Sequence, residues 1–294
     1  MRAAILDERA VLRITGADAR KFLENIITND VDSLRPDQAR FAALLTPQGK
    51  IVADFFVVGA SEEDGGGFLL DAPAVLADDI AKKLGFYKLR AAVSIEQRPD
   101  LAVAAILDGK ATTELGIVFD DPRHPDLGQR IVLPDETAKA DLEGAGFKVA
   151  DADEYHAKRI ALGIPVGGKD FIYGDAYPHE TVMDQLNGVD FDKGCFIGQE
   201  IVSRMERKTT PRTRVIPVTF DTAPFPGVEV KAGARPAGHM GSGVNGKGLA
   251  MVRLDRIHEA LKKGEKITAG GIEISLQKPG WARFAFPGEP GFGA

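Results

Sequence analysis

The segment at residues 193–200, Lys-Gly-Cys-Phe-Ile-Gly-Gln-Glu, holds the only cysteine of the chain, Cys195. Glycines on both sides allow tight backbone turns around the thiol, and helical spacing from Gln199 onward places Cys195 just before a helix N-terminus. The positive end of that helix, with Lys193 nearby, favours the thiolate, which is the nucleophilic and metal-binding form. The alternative is a structural cysteine that packs as a small hydrophobe. No histidine is placed by the sequence to complete a Cys–His hydrolase.

A basic run occupies the same predicted helix and the residues just beyond it: Arg204, Arg207, Lys208, Arg212 and Arg214. Such a run is commonly a solvated face, and the functional alternative is a site for an anion such as a polycarboxylate tail. Because no aromatic side chains are interleaved for base stacking, the run does not predict RNA binding.

Residues 241–246 match the pattern GxGxxG of dinucleotide-binding loops. Such loops bind phosphate through the free N–H groups of a following helix, and they need a strand before them. Here residues 249–254 have the composition of a strand. The pattern therefore predicts a glycine-rich hairpin and no nucleotide site.

The composition of the 294-residue chain excludes several classes of protein. A net charge of −6 gives no basis for binding nucleic acid. A single cysteine excludes intrachain disulfides and self-contained zinc or iron–sulfur sites of four cysteines, and the five histidines lie too far apart for a helical ligand pair, so no metal site is expected. No segment reaches the roughly 20 apolar residues of a membrane helix, and acids near the N-terminus oppose a signal peptide. We therefore expect a cytoplasmic protein without a membrane partner.

The first hundred residues have the pattern of helices packed on a largely antiparallel sheet. Strands are predicted at residues 10–14, 41–45, 51–58, 67–70 and 91–95. Helices are predicted after the capping residue Asp18 and over residues 75–87, where apolar side chains recur at helical spacing. The fold class predicted from this order is α+β.

The rest of the chain predicts a second α/β portion and a small β-barrel. Strands at 101–107 and 130–133 and helices at 136–145 and 152–162 follow the first sheet. After Pro211 the sequence changes to short β runs separated by glycine and proline, which is typical of a small barrel or sandwich. We predict an α+β region at 1–210, with subdomains near 1–100 and 101–210, and a β-barrel domain at 211–294.

Residues 193–200 resemble the signature of the folate-binding YgfZ-type proteins, relatives of the aminomethyltransferase (T-protein, GcvT-like) of the glycine cleavage system. Further motifs follow in family order at residues 13–19, 28–31, 45–50, 87–90, 163–165 and 178–180. The resemblance implies GcvT/YgfZ-like folate-binding portions at the N-terminus, followed by the family's C-terminal barrel.

The resemblance also implies a tetrahydrofolate pocket and its contacts. Asp71 would pair with the N–H donors of the pterin, Tyr155 would stack on its ring, and Glu180 would be the carboxylate on that side. Arg90, within the motif at 87–90, is carried over as a further folate contact. The alternative roles are a helix cap for Asp71 and core packing for Tyr155.

One position departs from the aminomethyltransferases. The Asp that activates the folate nitrogen there aligns, through Gly49, with Ala53, and strand alternation sends Asp54 to the opposite face. Alanine has no acid–base function, so methylamine transfer by the standard route is not expected. Whether the chain is an enzyme stays open, and the departure favours the YgfZ branch.

The sequence therefore predicts a tetrahydrofolate-binding accessory protein for iron–sulfur cluster assembly or repair, with Cys195 as the functional thiol and Lys193 beside it. Its partners would be a folate and iron–sulfur client or assembly proteins. One thiol cannot hold a cluster alone, so any ligation must be shared or transient. The alternatives are a folate-dependent one-carbon transferase and a folate-binding module that senses one-carbon supply.

Overall fold

A computed structural model of the chain describes residues 1–111, 114–208, 211–289 and 292. It contains two compact units. The first comprises Met1–Tyr155 and Leu186–Gln199, and the second comprises His156–Gln185 and Glu200–Ala294. The chain thus enters the second unit at His156, returns to the first at Leu186 and re-enters the second at Glu200. The predicted boundary after residue 210 falls inside the second unit.

The first unit contains two five-stranded sheets. Its strands are β1 (Arg2–Ile5), β2 (Arg9–Thr15), β3 (Ala39–Leu45), β4 (Ile51–Gly59), β5 (Phe68–Pro73), β6 (Ser94–Gln97), β7 (Leu101–Ile106), β8 (Ile117–Asp120), β9 (Gln129–Pro134) and β10 (Lys148–Ala150). One sheet has the order β3-β4-β5-β2-β6 and is antiparallel throughout. The other has the order β10-β1-β7-β9-β8, in which only β1 and β10 pair in parallel.

Helices cover the sheets of the first unit. They are α1 (Ala19–Ile26), α2 (Ala77–Lys88), α3 (Ala138–Gly144) and α4 (Ala152–Ala161), the last of which runs across the boundary between the units. Phe22, Leu23 and Ile26 repeat at helical spacing and bury the inner face of α1 in the core of the β3-β4-β5-β2-β6 sheet. The α+β prediction is confirmed.

Two local predictions need adjustment. Asp18 precedes α1 but makes no side-chain cap to it. Its carboxylate instead accepts a hydrogen bond of 2.7 Å from the backbone N–H of Ala92, which fixes the chain after α2. The strand predicted at 91–95 begins only at Ser94, because Ala91 and Ala92 still belong to the turn that ends α2.

The second unit is built on a seven-stranded antiparallel sheet. Its strands are β11 (Thr213–Thr219), β12 (Glu229–Ala232), β13 (Arg235–Val244), β14 (Lys247–Arg253), β15 (Ile267–Ala269), β16 (Ile272–Glu273) and β17 (Ser275–Leu276). They lie in the order β16-β15-β12-β13-β14-β11-β17. Two helices accompany them, α5 (Gln199–Lys208), whose first residue still belongs to the first unit, and α6 (Leu254–Lys262). The predicted β-rich region after Pro211 is confirmed, and α6 was not predicted.

The glycine-rich segment at 241–247 forms the turn between β13 and β14. Val244 pairs with Lys247, and Asn245 and Gly246 between them both have positive φ, +52° and +75°. This is the backbone of a tight two-residue hairpin turn, for which Asn-Gly is the preferred pair. A strand follows the glycines where a phosphate loop needs a helix, and the hairpin prediction is confirmed.

Within the described part of the chain, no helix combines the length and the apolar character that crossing a membrane requires.

Candidate functional site

Cys195 is a free cysteine exposed on the loop between residues 190 and 199. The next side chain, Phe196, is buried, and its carbonyl accepts a hydrogen bond of 3.2 Å from the backbone N–H of Gln199, the first residue of α5. Cys195 therefore lies directly before the tight turn that leads into α5, as predicted, and it is exposed to solvent.

Lys193 is anchored in the first unit by four oxygen contacts. Its ammonium lies 3.1 Å from a carboxylate oxygen of Glu24 and donates to the backbone carbonyls of Glu24, Ile27 and Asn29 at 2.8, 3.0 and 2.8 Å. Its side chain is 1% exposed, and this burial lowers the pKa of Lys193 although Glu24 opposes the shift. Lys193 thus ties the loop to the end of α1. Its role beside the thiol stays a prediction.

The other end of the loop depends on a glycine. Gly198 has φ of +81°, and a Cβ atom there would lie 2.6 Å from the carbonyl oxygen of Thr46 and 3.1 Å from Cα of Gly49. A side chain at this position would therefore collide with the β3–β4 hairpin turn. The glycine of the signature allows the loop to rest directly on that turn.

The polar residues that follow α1 connect the segment at residues 186–199 to the rest of the first unit through hydrogen bonds. The Thr28 hydroxyl donates to the carbonyl of Gly188 at 2.6 Å and accepts from the N–H of Ala43 at 2.8 Å. The Asn29 amide donates to the carbonyls of Phe41 and Asn187 at 2.8 and 2.7 Å. The motif at 28–31 thus has a structural explanation, because its side chains connect β3 to the chain that leads into the cysteine loop.

A second polar centre of the first unit is fully buried and lies around Arg130. From β9, this guanidinium donates to Asp71 on β5 at 2.8 Å, to Asp121 at 3.2 Å and to the hydroxyl of Tyr155. Arg9 also donates to the Asp71 carboxylate, so both oxygens of that group have an arginine partner. The network joins the two sheets of the unit through charged groups.

Tyr155 accepts hydrogen bonds from two arginines. Arg123 donates to its hydroxyl at 2.8 Å, and Arg130 is the second donor. Burial raises the pKa of the phenol, but the positive charges of Arg123 and Arg130 outweigh this and leave the pKa lowered. Burial likewise opposes ionisation of Asp121, yet the charge and hydrogen bonds of Arg123, with Arg130, bring its pKa to about 2.

Aromatic rings complete this buried centre. The guanidinium carbons of Arg130 and Arg123 lie 4.3 and 4.8 Å from the centroid of the Phe56 ring. A ring face attracts a cation, and the attraction is stronger where water is excluded. The network, defined here as the arginine cluster, consists of Arg9, Asp71, Asp121, Arg123, Arg130 and Tyr155.

The structure brings together two of the predicted folate contacts, Asp71 and Tyr155, through Arg130. Asp71 is 0% and Tyr155 3% exposed, and their polar atoms bind arginines. Asp71 does not cap a helix, which was its alternative role. Tyr155 packs in the interior, which was its alternative role. Their predicted roles toward folate stay predictions.

The two remaining predicted contacts, Arg90 and Glu180, belong to different units. Arg90 is exposed just after α2 in the first unit. Glu180 belongs to the second unit, where its carboxylate accepts a hydrogen bond of 2.9 Å from the backbone N–H of Tyr177. Both stay predictions as folate contacts.

Ala53 is part of the apolar core. It is 0% exposed on β4 and shares the core face with Phe55 and Val57, so alternation places Asp54 and Phe56 on the opposite face. No acid–base group therefore occupies the position of the aminomethyltransferase Asp on the core face.

The basic run does not form one continuous face. Arg204 pairs with Glu200 one helical turn away at 3.1 Å, Arg207 and Arg212 are exposed, and Arg214 is buried against Asp184. The side chain of Lys208 lies outside the described residues. Anion binding by this run stays a prediction.

Sequence reasoning missed Asp121, Arg123 and Arg130 as members of a site. Arg130 was read only as the start of a strand, and the residues before it carry no periodic pattern. The one available signal was the density of charged residues at 120–130 next to a buried strand, since charges are rarely buried without partners.

Two family models match the chain. Residues 5–104 match the GCVT N-terminal domain, and residues 212–284 match the CAF17 C-terminal beta-barrel domain. Among solved structures, the glycine cleavage system aminomethyltransferase T from Bartonella henselae superimposes with a TM-score of 0.75 over 97% of this chain and 87% of that chain. At 16% identity this likeness shows the fold alone, and it confirms a GcvT-like region followed by a β-barrel.

Curated relatives are similar in sequence over most of the chain. The mitochondrial iron–sulfur cluster assembly factor IBA57 of Homo sapiens is 31% identical over 278 residues, which is 86% of this chain and 77% of that protein. The IBA57 protein of Mus musculus is 31% identical over 281 residues, with the same coverage of 86% and 77%.

These names correct the expected location. The sequence predicted a cytoplasmic protein, whereas the relatives are named as mitochondrial, and the cytoplasmic expectation is wrong by this comparison. The expectation relied on the single cysteine, the lack of a long apolar segment and the acids that oppose a signal peptide, and these features do not distinguish the cytoplasm from the mitochondrion. The extent and level of identity to the relatives show that the chain belongs to the family of the IBA57 iron–sulfur cluster assembly factors, with a GcvT-like fold.

Proposed function

We propose that this chain assists iron–sulfur cluster assembly or repair in client proteins, with the Cys195 thiol as its functional group, as in the YgfZ-type proteins it resembles. The observation that carries the proposal is the exposure of Cys195 on a loop held firmly on both sides. Lys193 fixes one side through four oxygen contacts, and Gly198 lets the other side rest on a hairpin turn.

The exposed position suits a shared ligand. Thiolates are the usual protein ligands of iron–sulfur clusters, and a cluster needs more ligands than one chain with a single cysteine provides. Cys195 would therefore act together with thiols of a partner, either a client or another assembly protein. The names of the relatives, iron–sulfur cluster assembly factors, support partners of this kind.

The test is Cys195→Ser in cells that lack the normal protein. We expect the variant to leave client iron–sulfur enzyme activity unrestored, while its free energy of unfolding stays within about 0.5 kcal/mol of wild type because the side chain is exposed. Ser203→Ala, on α5 in the same region of the sequence, is the control and should restore activity fully. Full restoration by Cys195→Ser would overturn the proposal.

We further propose that the chain binds tetrahydrofolate or a derivative of it. The GCVT N-terminal domain match and the GcvT-like fold support this. Asp71 and Tyr155 are buried and hydrogen-bonded to arginines, so direct contact of either side chain with a pterin requires these bonds to open. Both stay part of the proposal as folate contacts. Arg90 and Glu180 are the other proposed contacts, and each is tested by itself.

Calorimetric titration of tetrahydrofolate into the full chain tests this second part. We expect heat of binding for wild type and weaker binding for Arg90→Ala and for Glu180→Ala, neither of which disturbs the arginine cluster. Lys82→Ala, exposed on α2, is the matched control and should bind like wild type. No heat with the wild-type protein would remove folate from the proposal and leave the role of Cys195 standing.

A further inference from the structure

Three potential metal ligands meet in the second unit. One ligand atom from each of His179, Asp184 and Glu206 lies within 4.8 Å of the others, and Nε2 of His179 is 3.0 Å from the Glu206 carboxylate. The side chains of His179 and Asp184 are 1% and 3% exposed, whereas that of Glu206, on α5, is 46% exposed. A buried pair of ligands is thus joined by a third that reaches solvent.

Arg214 holds the buried part of this group in place. It donates to the two carboxylate oxygens of Asp184 at 2.8 Å each and to the backbone carbonyl of His179 at 2.8 Å. One guanidinium therefore fixes both the orientation of the carboxylate and the backbone that carries the imidazole. Metal-binding carboxylates are commonly hydrogen-bonded in this way. Oδ2 of Asp184 also accepts from the Gln185 amide at 2.8 Å, so Oδ1 is the oxygen that keeps a further lone pair for an ion.

The charge and the size of the site suit a divalent ion. Asp184 and Glu206 carry two negative charges against one positive charge on Arg214, which leaves one negative charge in excess. Metal–ligand bonds of about 2.0–2.1 Å place tetrahedral ligands about 3.4 Å apart. The His179–Glu206 separation of 3.0 Å is close to that value, and the ligand atom of Asp184 lies within 4.8 Å of both.

We propose that His179, Asp184 and Glu206 of the second unit bind a divalent first-row transition-metal ion, Zn²⁺ or Fe²⁺. One imidazole and two carboxylates are a ligand set that these ions accept. Three protein ligands leave a position for water, which is the pattern of an exchangeable ion. The half-exposed Glu206 gives the ion its path to solvent.

The test uses the full chain carrying Cys195→Ser, freed of metal with a chelator and titrated with Zn²⁺ by calorimetry and, without oxygen, with Fe²⁺. We expect one ion per chain, and at least about tenfold weaker binding in Glu206→Gln, which keeps the size of the side chain and lies at a half-exposed position. Visible bands of bound Co²⁺ report the ligand geometry independently of heat.

Glu200→Gln is the matched control, because Glu200 lies on the same helix and pairs with Arg204 outside the cluster. It should bind as tightly as the parent protein. His179→Gln should abolish binding, and thermal unfolding of each variant without metal separates loss of a ligand from loss of the fold. Absence of uptake by the parent protein, or equal affinity in Glu206→Gln, would overturn the proposal.

Discussion

The two units bury arginines in different ways. Among the described residues of the second unit, two buried arginines are each paired with one carboxylate, Arg159 with Asp170 at 2.7 Å and Arg214 with Asp184 at 2.8 Å. In the first unit the arginine cluster shares its partners, because Arg130 alone contacts two aspartates and a tyrosine.

The charges of the cluster do not balance without the tyrosine. Arg9, Arg123 and Arg130 face the carboxylates of Asp71 and Asp121, so the arginines exceed the carboxylates by one. Both Arg123 and Arg130 donate to Tyr155, whose lowered pKa follows from this excess. A network with an excess positive charge can thus favour the ionised form of a neighbouring phenol. A neutral pair of one arginine and one carboxylate has no such excess charge.

The largest effect is expected for Arg130→Met. The substitution leaves Asp71, Asp121 and Tyr155 with fewer donors in a water-free site, and breaking a buried pair costs about 3–5 kcal/mol. Urea unfolding of the full chain measures this loss in the free energy of unfolding. Arg98→Met is the control: its partner Asp100 is 58% exposed, and we expect a loss below about 1 kcal/mol. Equal losses in the two variants would contradict the role of Arg130.

In the second unit, much of the stability lost when Arg214 is replaced should be regained when its partner Asp184 is replaced as well. Arg214→Met alone is expected to cost about 3 kcal/mol, and Arg214→Met/Asp184→Leu should regain more than half of that, since no unpaired charge is left. The corresponding Arg130→Met/Asp71→Leu change should regain little, because Asp121 and Tyr155 still lose a donor. Unfolding free energies of both series test the comparison, and similar recovery in the two units would refute it.

A smaller effect is expected from acid titration of Asp121. Its folded pKa of about 2 is below the usual 3.8, so its ionised form stabilises the fold above about pH 4. This contribution, about 2 kcal/mol, is lost as pH falls from 4 toward 2. We expect the free energy of unfolding to fall more steeply over this range in wild type than in Asp121→Asn. Parallel pH profiles would show that Asp121 is not held ionised.

The smallest effect is expected for Tyr155→Phe. Loss of the hydroxyl removes hydrogen bonds from two charged donors and should cost about 1.5 kcal/mol near neutral pH. Because the folded pKa is lowered, the ionised phenol stabilises the fold increasingly as pH rises from that pKa toward the value of about 10 in the unfolded chain. The difference in the free energy of unfolding between wild type and Tyr155→Phe, measured with urea, should therefore increase with pH. A constant difference would argue for a neutral phenol.

Helices and strands whose apolar residues recur with a clear period were predictable from the sequence. The helix α1, the strands β2 to β4 and the glycine-rich hairpin of β13 and β14 follow from local patterns of apolar residues and turn residues. Strands β1, β8 and β10 were missed because each has only three or four residues and is defined by its neighbours in the sheet. Helix α6 has buried residues at helical spacing, Leu254, Ile257 and Ala260, and this signal was overlooked.

The cysteine loop and the arginine cluster also differ in how far local sequence patterns predict them. The cysteine loop is a continuous segment, so its glycines, its cysteine and the helix after it were visible together. The arginine cluster draws on β2, β5, β9, α4 and the residues after β8. No local pattern joins such distant positions, and only the folded chain shows that Asp71 and Tyr155 share Arg130.

The return of residues 186–199 to the first unit has a consequence for how the thiol becomes available. During synthesis both sheets of that unit leave the ribosome before Lys193 does, and until then Glu24, Thr28 and Asn29 lack the partners that this late segment brings. Cys195 is therefore fixed in its loop only after the earlier part of the unit has folded to receive it. An incomplete chain would not present the thiol in this geometry, which couples the placement of the thiol to the completion of folding.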